Sequence, residues 1–68
     1  MLQRLRNARV AAGLTQEEMG KKLGLTMAGY RQKEIGQRKI YIDEANKMAA
    51  ILNVTLDDIF FEDKKDEI

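Results

Sequence analysis

Residues 15–34, TQEEMGKKLGLTMAGYRQKE, decide how this chain folds. The stretch contains two segments rich in helix-forming residues, which are separated only by a Gly-Leu-Thr triplet at residues 24–26. Glycine accepts the left-handed conformation that closes a helix, and a threonine hydroxyl caps the helix that follows. The stretch therefore predicts two helices, Gln16–Leu23 and Met27–Ile35, joined by the short turn of a helix-turn-helix.

The Gly-Leu-Thr triplet at residues 24–26 has two counterparts elsewhere in the chain. It repeats at residues 13–15 and, in the conservative form Asn-Val-Thr, at residues 53–55. The apolar residue of each triplet precedes a helix cap, where it can contact an apolar residue five positions further on. Each triplet has such a partner: Leu14 with Met19, Leu25 with Tyr30, and Val54 with Ile59. We therefore expect a helix junction at each triplet, with Glu18 and, more weakly, Asp58 completing capping boxes.

These junctions divide the chain into five helices. Besides the two helices described above, we expect helices at Leu2–Ala12, at Ile42–Leu52 and from Leu56 to about Phe61. A chain of 68 residues has room for one modest core. The sequence thus predicts an all-α fold, with one compact five-helix domain over residues 1–61 and a charged tail over residues 62–68 that frays.

The residue types present narrow the possible functions. The chain contains no cysteine and no histidine, which removes thiolate zinc sites and the commonest general base and metal ligand. We therefore expect no catalytic site, no metal, no cofactor and no small-molecule ligand. No apolar run approaches the roughly 20 residues needed to cross a bilayer, and the first ten residues lack the pattern of a signal peptide. We expect a cytoplasmic protein that does not associate with membranes.

Charge is distributed unevenly along the chain. Residues 1–40 contain nine lysines or arginines and three acidic residues, whereas residues 41–68 contain three lysines and eight acidic residues. The first part carries +6 and the second −5, which together give the net charge of +1. This asymmetry fits a first half that faces a polyanion. Ordinary solvated helix faces give the same counts, so charge alone leaves both interpretations open.

The order and spacing of these features resemble the lambda-repressor-like helix-turn-helix family (Cro/repressor type, XRE family). The resemblance covers roughly residues 2–60 and is carried by Arg9, Leu14–Met19, Leu23–Thr26, Glu34, Gly36, Ala49, Leu52, Val54 and Leu56. It implies that the second and third helices form the helix-turn-helix of a lambda-repressor-like domain. It also implies a sequence-specific transcriptional regulator of bacterial or phage type, a repressor that reads a short palindromic operator through the major groove.

The resemblance implies that the third helix enters the major groove by its N-terminal end. The base-reading residues are then Met27, Ala28, Arg31 and Gln32. Arg31 suits guanine and Gln32 suits adenine, because these side chains can make paired hydrogen bonds with the groove edges of those bases. Met27 and Ala28 offer only apolar contact, most plausibly with thymine methyl groups. For Met27, inward packing against the turn is the alternative.

The resemblance also implies contacts with DNA phosphates. The residues concerned are Gln16, Thr26, Lys33, Arg38 and Lys39. Gln16 opens the second helix, where backbone N–H groups and the helix dipole attract phosphate, although it could equally be a solvated first-turn residue. Lys33 departs from the family, which usually has an apolar or aromatic residue there. We expect its stem to cover the edge of the core while its ammonium reaches a phosphate.

Two charged residues lie on faces that point inward. Arg9 lies on the apolar stripe of the first helix, and Glu34 lies one turn after Tyr30. Charges on buried faces need partners, and in the family these two positions form an ion pair between the first and third helices. We therefore expect Arg9 and Glu34 to form a structural ion pair.

A domain of this size reads only half of an operator, so the resemblance implies a two-fold homodimer on double-stranded DNA. We expect the dimer interface at the fifth helix, where Leu56, Phe60 and Phe61 lie. Alternatively, Phe61 folds back onto the core. A second class of function also fits the sequence. An antitoxin or another protein-interaction module would use the acidic fifth helix and tail to bind a partner protein as well as DNA.

Overall fold

The computed structural model describes residues 2–60 of the chain. They form five helices, α1 (Gln3–Ala11), α2 (Gln16–Leu23), α3 (Met27–Glu34), α4 (Ile42–Leu52) and α5 (Leu56–Phe60). No strand occurs within residues 2–60. The prediction of an all-α, five-helix fold is therefore confirmed, and the helices begin and end within one residue of their predicted bounds. The expectations for Phe61 and for the tail lie outside the described residues.

The helix junctions use the chemistry of their triplets. Gly24 ends α2 with a φ of 75°, and Asn53 ends α4 with a φ of 58°, both in the left-handed region. The threonine hydroxyls accept backbone N–H groups of the next helix: Thr15 from Glu18 at 3.0 Å, Thr26 from Gly29 at 3.0 Å and Thr55 from Asp58 at 3.1 Å. The carboxylates of Glu18 and Asp58 accept from the threonine N–H groups in return. Both predicted capping boxes are therefore present.

The hydrophobic core receives residues from all five helices. Its buried members are Leu5, Met19, Tyr30, Met48, Ala49, Leu52 and Ile59. The apolar residues of the three triplets, Leu14, Leu25 and Val54, are half-buried and pack against this cluster. A residue that precedes a helix cap therefore anchors each junction to the core, as expected from its position.

Helices α2 and α3 pack closely against each other, and Gly20 makes this approach possible. A Cβ atom on Gly20 would lie 3.0 Å from the main-chain oxygen of Thr26 and 3.3 Å from Cβ of Tyr30. The main-chain oxygen of Gly20 accepts the N–H of Leu25 at 2.8 Å. Because residue 20 has no side chain, the turn closes directly onto α2, and α3 starts immediately after it.

The segment after α3, residues 35–41, is called the α3–α4 loop below. It folds back at once, because the N–H groups of Gln37 and Arg38 donate to the main-chain oxygen of Gln32 at 2.8 and 3.1 Å. At the other side of α3, the N–H of Leu2 donates to the main-chain oxygen of Glu34 at 2.8 Å. The C-terminal end of α3 is thus attached both to the loop that follows it and to the start of the domain.

Candidate nucleic-acid interface

Helix α3 has one exposed face and one buried face. Met27, Ala28 and Arg31 are exposed, and Gln32 is half-buried. Tyr30, Lys33 and Glu34 are buried. Met27 is 52% exposed as a residue, so the alternative that it packs inward against the turn is wrong. The four residues predicted to read bases therefore all have side chains that are at least partly accessible on one helix.

The buried face of α3 is held by a polar cluster around Glu34. Arg9 donates from Nε to Oε1 of Glu34 at 2.7 Å and from Nη2 to Oε2 at 3.0 Å. The hydroxyl of Tyr30 donates to Oε1 at 2.7 Å, and Nε2 of Gln16 donates to Oε2 at 3.1 Å. Arg9 also donates from Nη1 to the main-chain oxygen of Leu14 at 2.8 Å. The predicted partners Arg9 and Glu34 are thus brought together, and the cluster joins α1, α2 and α3.

The contacts within this cluster shift the pKa values of Glu34, Arg9 and Tyr30. Burial alone would raise the pKa of Glu34, but the hydrogen bonds from Arg9, Tyr30 and Gln16 outweigh it and hold the pKa below its usual value. The hydrogen bond to Glu34 raises the pKa of Arg9. Burial, together with the nearby carboxylate, raises the pKa of Tyr30. Glu34 is therefore ionised and Tyr30 is neutral at physiological pH.

Lys33 occupies a different place from the one predicted. Its side chain is buried, with the residue 6% exposed, and Nζ donates to Oε1 of Glu44 at 3.0 Å and to the main-chain oxygen of Lys39 at 2.9 Å. Nζ also lies 5.7 Å from the ring centroid of Tyr41. A buried ammonium needs partners, and Glu44 together with the loop supplies them. The expectation that this ammonium reaches a phosphate is therefore corrected, because it is bonded inside the protein.

Glu44 is a functional candidate that the sequence did not indicate. It lies in the first turn of α4, and besides Lys33 its Oε1 accepts the N–H of Tyr41 at 3.2 Å. The hydrogen bond from Lys33 is the main cause that lowers the pKa of Glu44. The unusual lysine at position 33 was a signal that a partner is needed. Nothing in the sequence identified that partner, because the bond depends on how the α3–α4 loop returns the chain to α3.

Arg38 and Lys39 lie in the α3–α4 loop, and both are exposed. Nη1 of Arg38 lies 4.0 Å from the position that a Cβ atom would take on Gly29, and the N–H of Arg38 is bonded to Gln32. Gly29 and Gln32 are one turn apart on α3. The guanidinium of Arg38 therefore extends along α3 toward its N-terminal turn. The positive charge of Arg38 thus lies beside the helix that carries Arg31.

A family model described as helix-turn-helix, of the XRE or lambda-repressor-like type, matches residues 5–59 of the chain. The chain belongs to this family. No curated protein and no solved structure matches it. The helix-turn-helix is formed by α2 and α3, and the family is one of DNA-binding transcription regulators.

Two of the positions expected to contact phosphate lie at helix starts of this helix-turn-helix protein. Gln16 is half-buried, and its amide nitrogen is used in the bond to Glu34. Thr26 is exposed, and its hydroxyl oxygen accepts the cap hydrogen bond from Gly29. Both side chains thus hold α3 in place, and their contacts with DNA stay predictions.

Among residues 2–60, no helix has the length and apolar content needed to cross a membrane.

The helix-turn-helix protein also has an apolar groove, whose lining residues all lie outside α3. Its volume is about 610 Å³, and it is lined by Leu2, Gly36, Arg38, Ile40, Ile42, Ala45, Leu56, Asp57 and Phe60. Leu56 and Phe60, two residues of the predicted dimer interface, are half-buried on its α5 side. Ile42 is 68% exposed. The groove therefore includes residues of the start of α1, the α3–α4 loop, α4 and α5.

Proposed function

We propose that this protein is a transcriptional repressor of bacterial or phage type, which acts in the cytoplasm as a homodimer on a short palindromic operator. Helix α3 is its recognition helix, and it enters the major groove by its N-terminal end. The observation that carries the proposal is the division of α3 into two faces. Its accessible face presents Met27, Ala28, Arg31 and Gln32, while its other face is fixed by the buried Glu34 cluster.

The accessible side chains of α3 suit base reading in two ways. Arg31 donates a pair of hydrogen bonds to guanine, and Gln32 pairs with adenine by donating one and accepting one. Met27 and Ala28 make apolar contacts with thymine methyl groups. Each paired contact discriminates against a wrong base by about 1–3 kcal/mol. Only Arg31 and Gln32 supply hydrogen bonds, so sequence-dependent DNA shape adds to the specificity.

Contacts with phosphates place α3 in the groove. Arg38 and Lys39 carry positive charge in the exposed α3–α4 loop, and Gln16 and Thr26 lie at the N-terminal ends of α2 and α3, where helix dipoles attract phosphate. These contacts fix register without reading sequence. Lys33 is not included in this group, because its ammonium is bonded to Glu44.

The apolar groove is the surface that we assign to the homodimer. Leu56 and Phe60 line it, and the largely exposed Ile42 lies at its edge. Exposed apolar surface in a small soluble protein marks interaction sites. Two copies related by a two-fold axis present two copies of α3 to half-sites about one helical turn apart. Phe61, the third residue expected at the interface, follows Phe60 directly in the sequence.

Selection of bound sequences from a random DNA library tests the proposal. We expect a palindrome whose half-sites are about one helical turn apart. Arg31→Ala and Gln32→Ala should then each reduce the preference for one base over the others at individual base pairs of the selected site. Arg38→Ala and Lys39→Ala should weaken binding to all sequences and lower the salt slope by about one unit each. Lys47→Ala, at an exposed position of α4, is the control.

Two results would overturn the proposal. One is that selection enriches no sequence, and the other is that the enriched sites lack two-fold symmetry. The alternative function, an antitoxin or another protein-interaction module, predicts that a second small protein copurifies in a stable complex with this chain. A homodimer that binds its palindrome without any second protein contradicts that alternative.

A further inference from the structure

Lys33 is a basic residue next to the proposed DNA surface whose charge is not available to DNA. Its ammonium bonds to Glu44 at the start of α4 and to the main-chain oxygen of Lys39 in the α3–α4 loop. The residue itself lies on α3. One buried cation thus connects the recognition helix, the loop that follows it and the next helix.

The bonds of Lys33 restrain the part of the loop that carries the exposed cations. At its first end, the loop is fixed by the N–H groups of Gln37 and Arg38, which donate to the main-chain oxygen of Gln32. At its far end, the main-chain oxygen of Lys39 accepts from Lys33. The main chain is therefore attached to α3 at both Arg38 and Lys39, and only the attachment at Lys39 depends on side-chain charge.

We propose that Lys33, paired with Glu44, is a positioning residue that holds Arg38 and Lys39 against the DNA phosphates beside α3. This inference rests on the proposed function. Lys33 makes no contact with DNA, and it acts through the loop. Glu44 is needed although a negative charge near DNA by itself opposes binding, because without it the buried ammonium of Lys33 loses its carboxylate partner.

The sign of one mutational effect separates this role from simple electrostatics. Glu44→Gln removes a negative charge, so electrostatics alone predicts tighter DNA binding. If Glu44 acts through Lys33 and the loop, binding to the selected operator weakens instead, by about threefold or more. Asp43→Asn is the matched control, because it removes the same charge from an exposed neighbouring residue. Its binding should be unchanged or tighter.

A double-mutant cycle identifies the residue through which Lys33 acts. Lys33→Met keeps an unbranched side chain of similar length at position 33, and Glu44 is partly exposed, so water can solvate its carboxylate. We expect Arg38→Ala to weaken operator binding about tenfold, and Lys33→Met to weaken it by more than that, because Lys33→Met also frees Lys39. The double variant should bind little worse than Lys33→Met, because coupled residues are not additive. The salt slope of Lys33→Met should fall by about two units, for Arg38 and Lys39 together.

A measurement on the free protein tests the loop restraint without DNA. Without the bond from Lys33 to Lys39, the loop opens from its far end and pulls on the bonds of Gln37 and Arg38 to Gln32. Amide hydrogen exchange of Gln37 and Arg38 should therefore quicken about tenfold or more in Lys33→Met. The amides of Met19 and Tyr30, in the core, should keep their wild-type rates. Thermal unfolding of each variant confirms that it is folded at the assay temperature.

Each failure of the positioning role is recognisable. Additive effects of Lys33→Met and Arg38→Ala, with a salt slope lower by only about one unit, would mean that Lys33 contacts a phosphate directly. Glu44→Gln binding more tightly, or unchanged loop exchange in Lys33→Met, would also overturn the inference. A wild-type protein that selects no DNA sequence overturns the proposed function itself. That failure is seen before any variant is made.

Discussion

At the scale of single residues, the carboxylate of Glu34 is held in one position by hydrogen bonds from several side chains. It is fully buried and accepts hydrogen bonds from Arg9, Tyr30 and Gln16. A buried ion pair is not by itself a strong source of stability, but removing one member leaves the other charged and unpaired. The cluster therefore specifies how α3 sits on α1 and α2, and its loss is costly.

Arg9→Ala and Glu34→Ala should each lower the free energy of unfolding by roughly 3–5 kcal/mol, because each leaves a buried charge without its partner. Urea unfolding followed by circular dichroism measures the change. Arg6→Ala, at an exposed position of the same helix as Arg9, should change stability by less than about 0.5 kcal/mol. Unfolding midpoints of the Arg9 and Glu34 variants close to wild type would contradict the role of the pair.

The depressed pKa of Glu34 makes stability depend on pH in a defined direction. A carboxylate whose pKa is lower in the folded state stabilises the protein above its usual value of 4.5. That contribution is lost as the pH falls below this value and through the folded pKa. Urea midpoints measured from pH 6 down to the acid range should therefore fall more steeply for the wild type than for Glu34→Gln. Glu17→Gln, on the exposed side of α2, should follow the wild type.

At the scale of helices, each junction ends one helix by backbone conformation and begins the next by side-chain capping. Gly24 supplies the left-handed conformation that ends α2, and Thr26 supplies the hydroxyl that caps α3. Leu25, between them, packs against the core. These three local preferences agree on the same turn, so the end of α2 and the start of α3 depend on no distant residue.

Gly24→Ala tests the backbone part of this junction alone. A Cβ atom on Gly24 would meet nothing within 4 Å, so the cost is conformational, about 1–2 kcal/mol for an alanine forced to a positive φ. Gly24→Asn should cost less, because asparagine tolerates this region, as Asn53 does at the end of α4. Thermal unfolding compares the two variants. Equal stabilities, or a stabilised alanine variant, would contradict this account of the turn.

At the scale of the whole molecule, two surfaces have different chemistry. The accessible face of α3 and the α3–α4 loop carry the positive residues Arg31, Arg38 and Lys39. The groove that includes Ile42, Leu56 and Phe60 is mainly apolar. Arg38 belongs to both, since it lines the groove and also extends along α3. Association of two copies at the groove would thus order a residue that we also propose to contact DNA.

Ile42→Lys should weaken the proposed homodimer by about tenfold or more, because it places a charge at the edge of the proposed apolar contact. Sedimentation equilibrium measures the dimer dissociation constant. Val10→Lys is the matched control, since Val10 is an exposed apolar residue of α1, 51% accessible, that does not line the groove. Affinity for a complete palindrome should fall with dimerisation in Ile42→Lys, while affinity for a single half-site stays the same. Unchanged dimerisation would remove the groove from the interface.

The helices could be predicted closely from the sequence because their ends are determined locally. A glycine or asparagine, an apolar residue and a threonine within three positions are enough to end one helix and begin the next. The ion pair between Arg9 and Glu34 could also be predicted, since both charges lie on otherwise apolar helix faces and the family resemblance links the two positions. Lys33 stands where the family usually has an apolar or aromatic residue, and the sequence alone predicts a phosphate contact for its ammonium rather than the bond to Glu44.

What the sequence by itself determined is the set of five helices, their caps and the residues that face outward on α3. What only the tertiary structure decided is which of the polar groups expected to contact DNA are bonded inside the protein instead. Lys33 pairs with Glu44, and Gln16 turns its amide to Glu34, because the loop and the turn bring these groups within hydrogen-bond distance. The groove from Leu2 to Phe60 likewise joins segments far apart in the chain. Helix ends depend on neighbours along the backbone, whereas these pairings depend on distances across the fold, which no local pattern encodes.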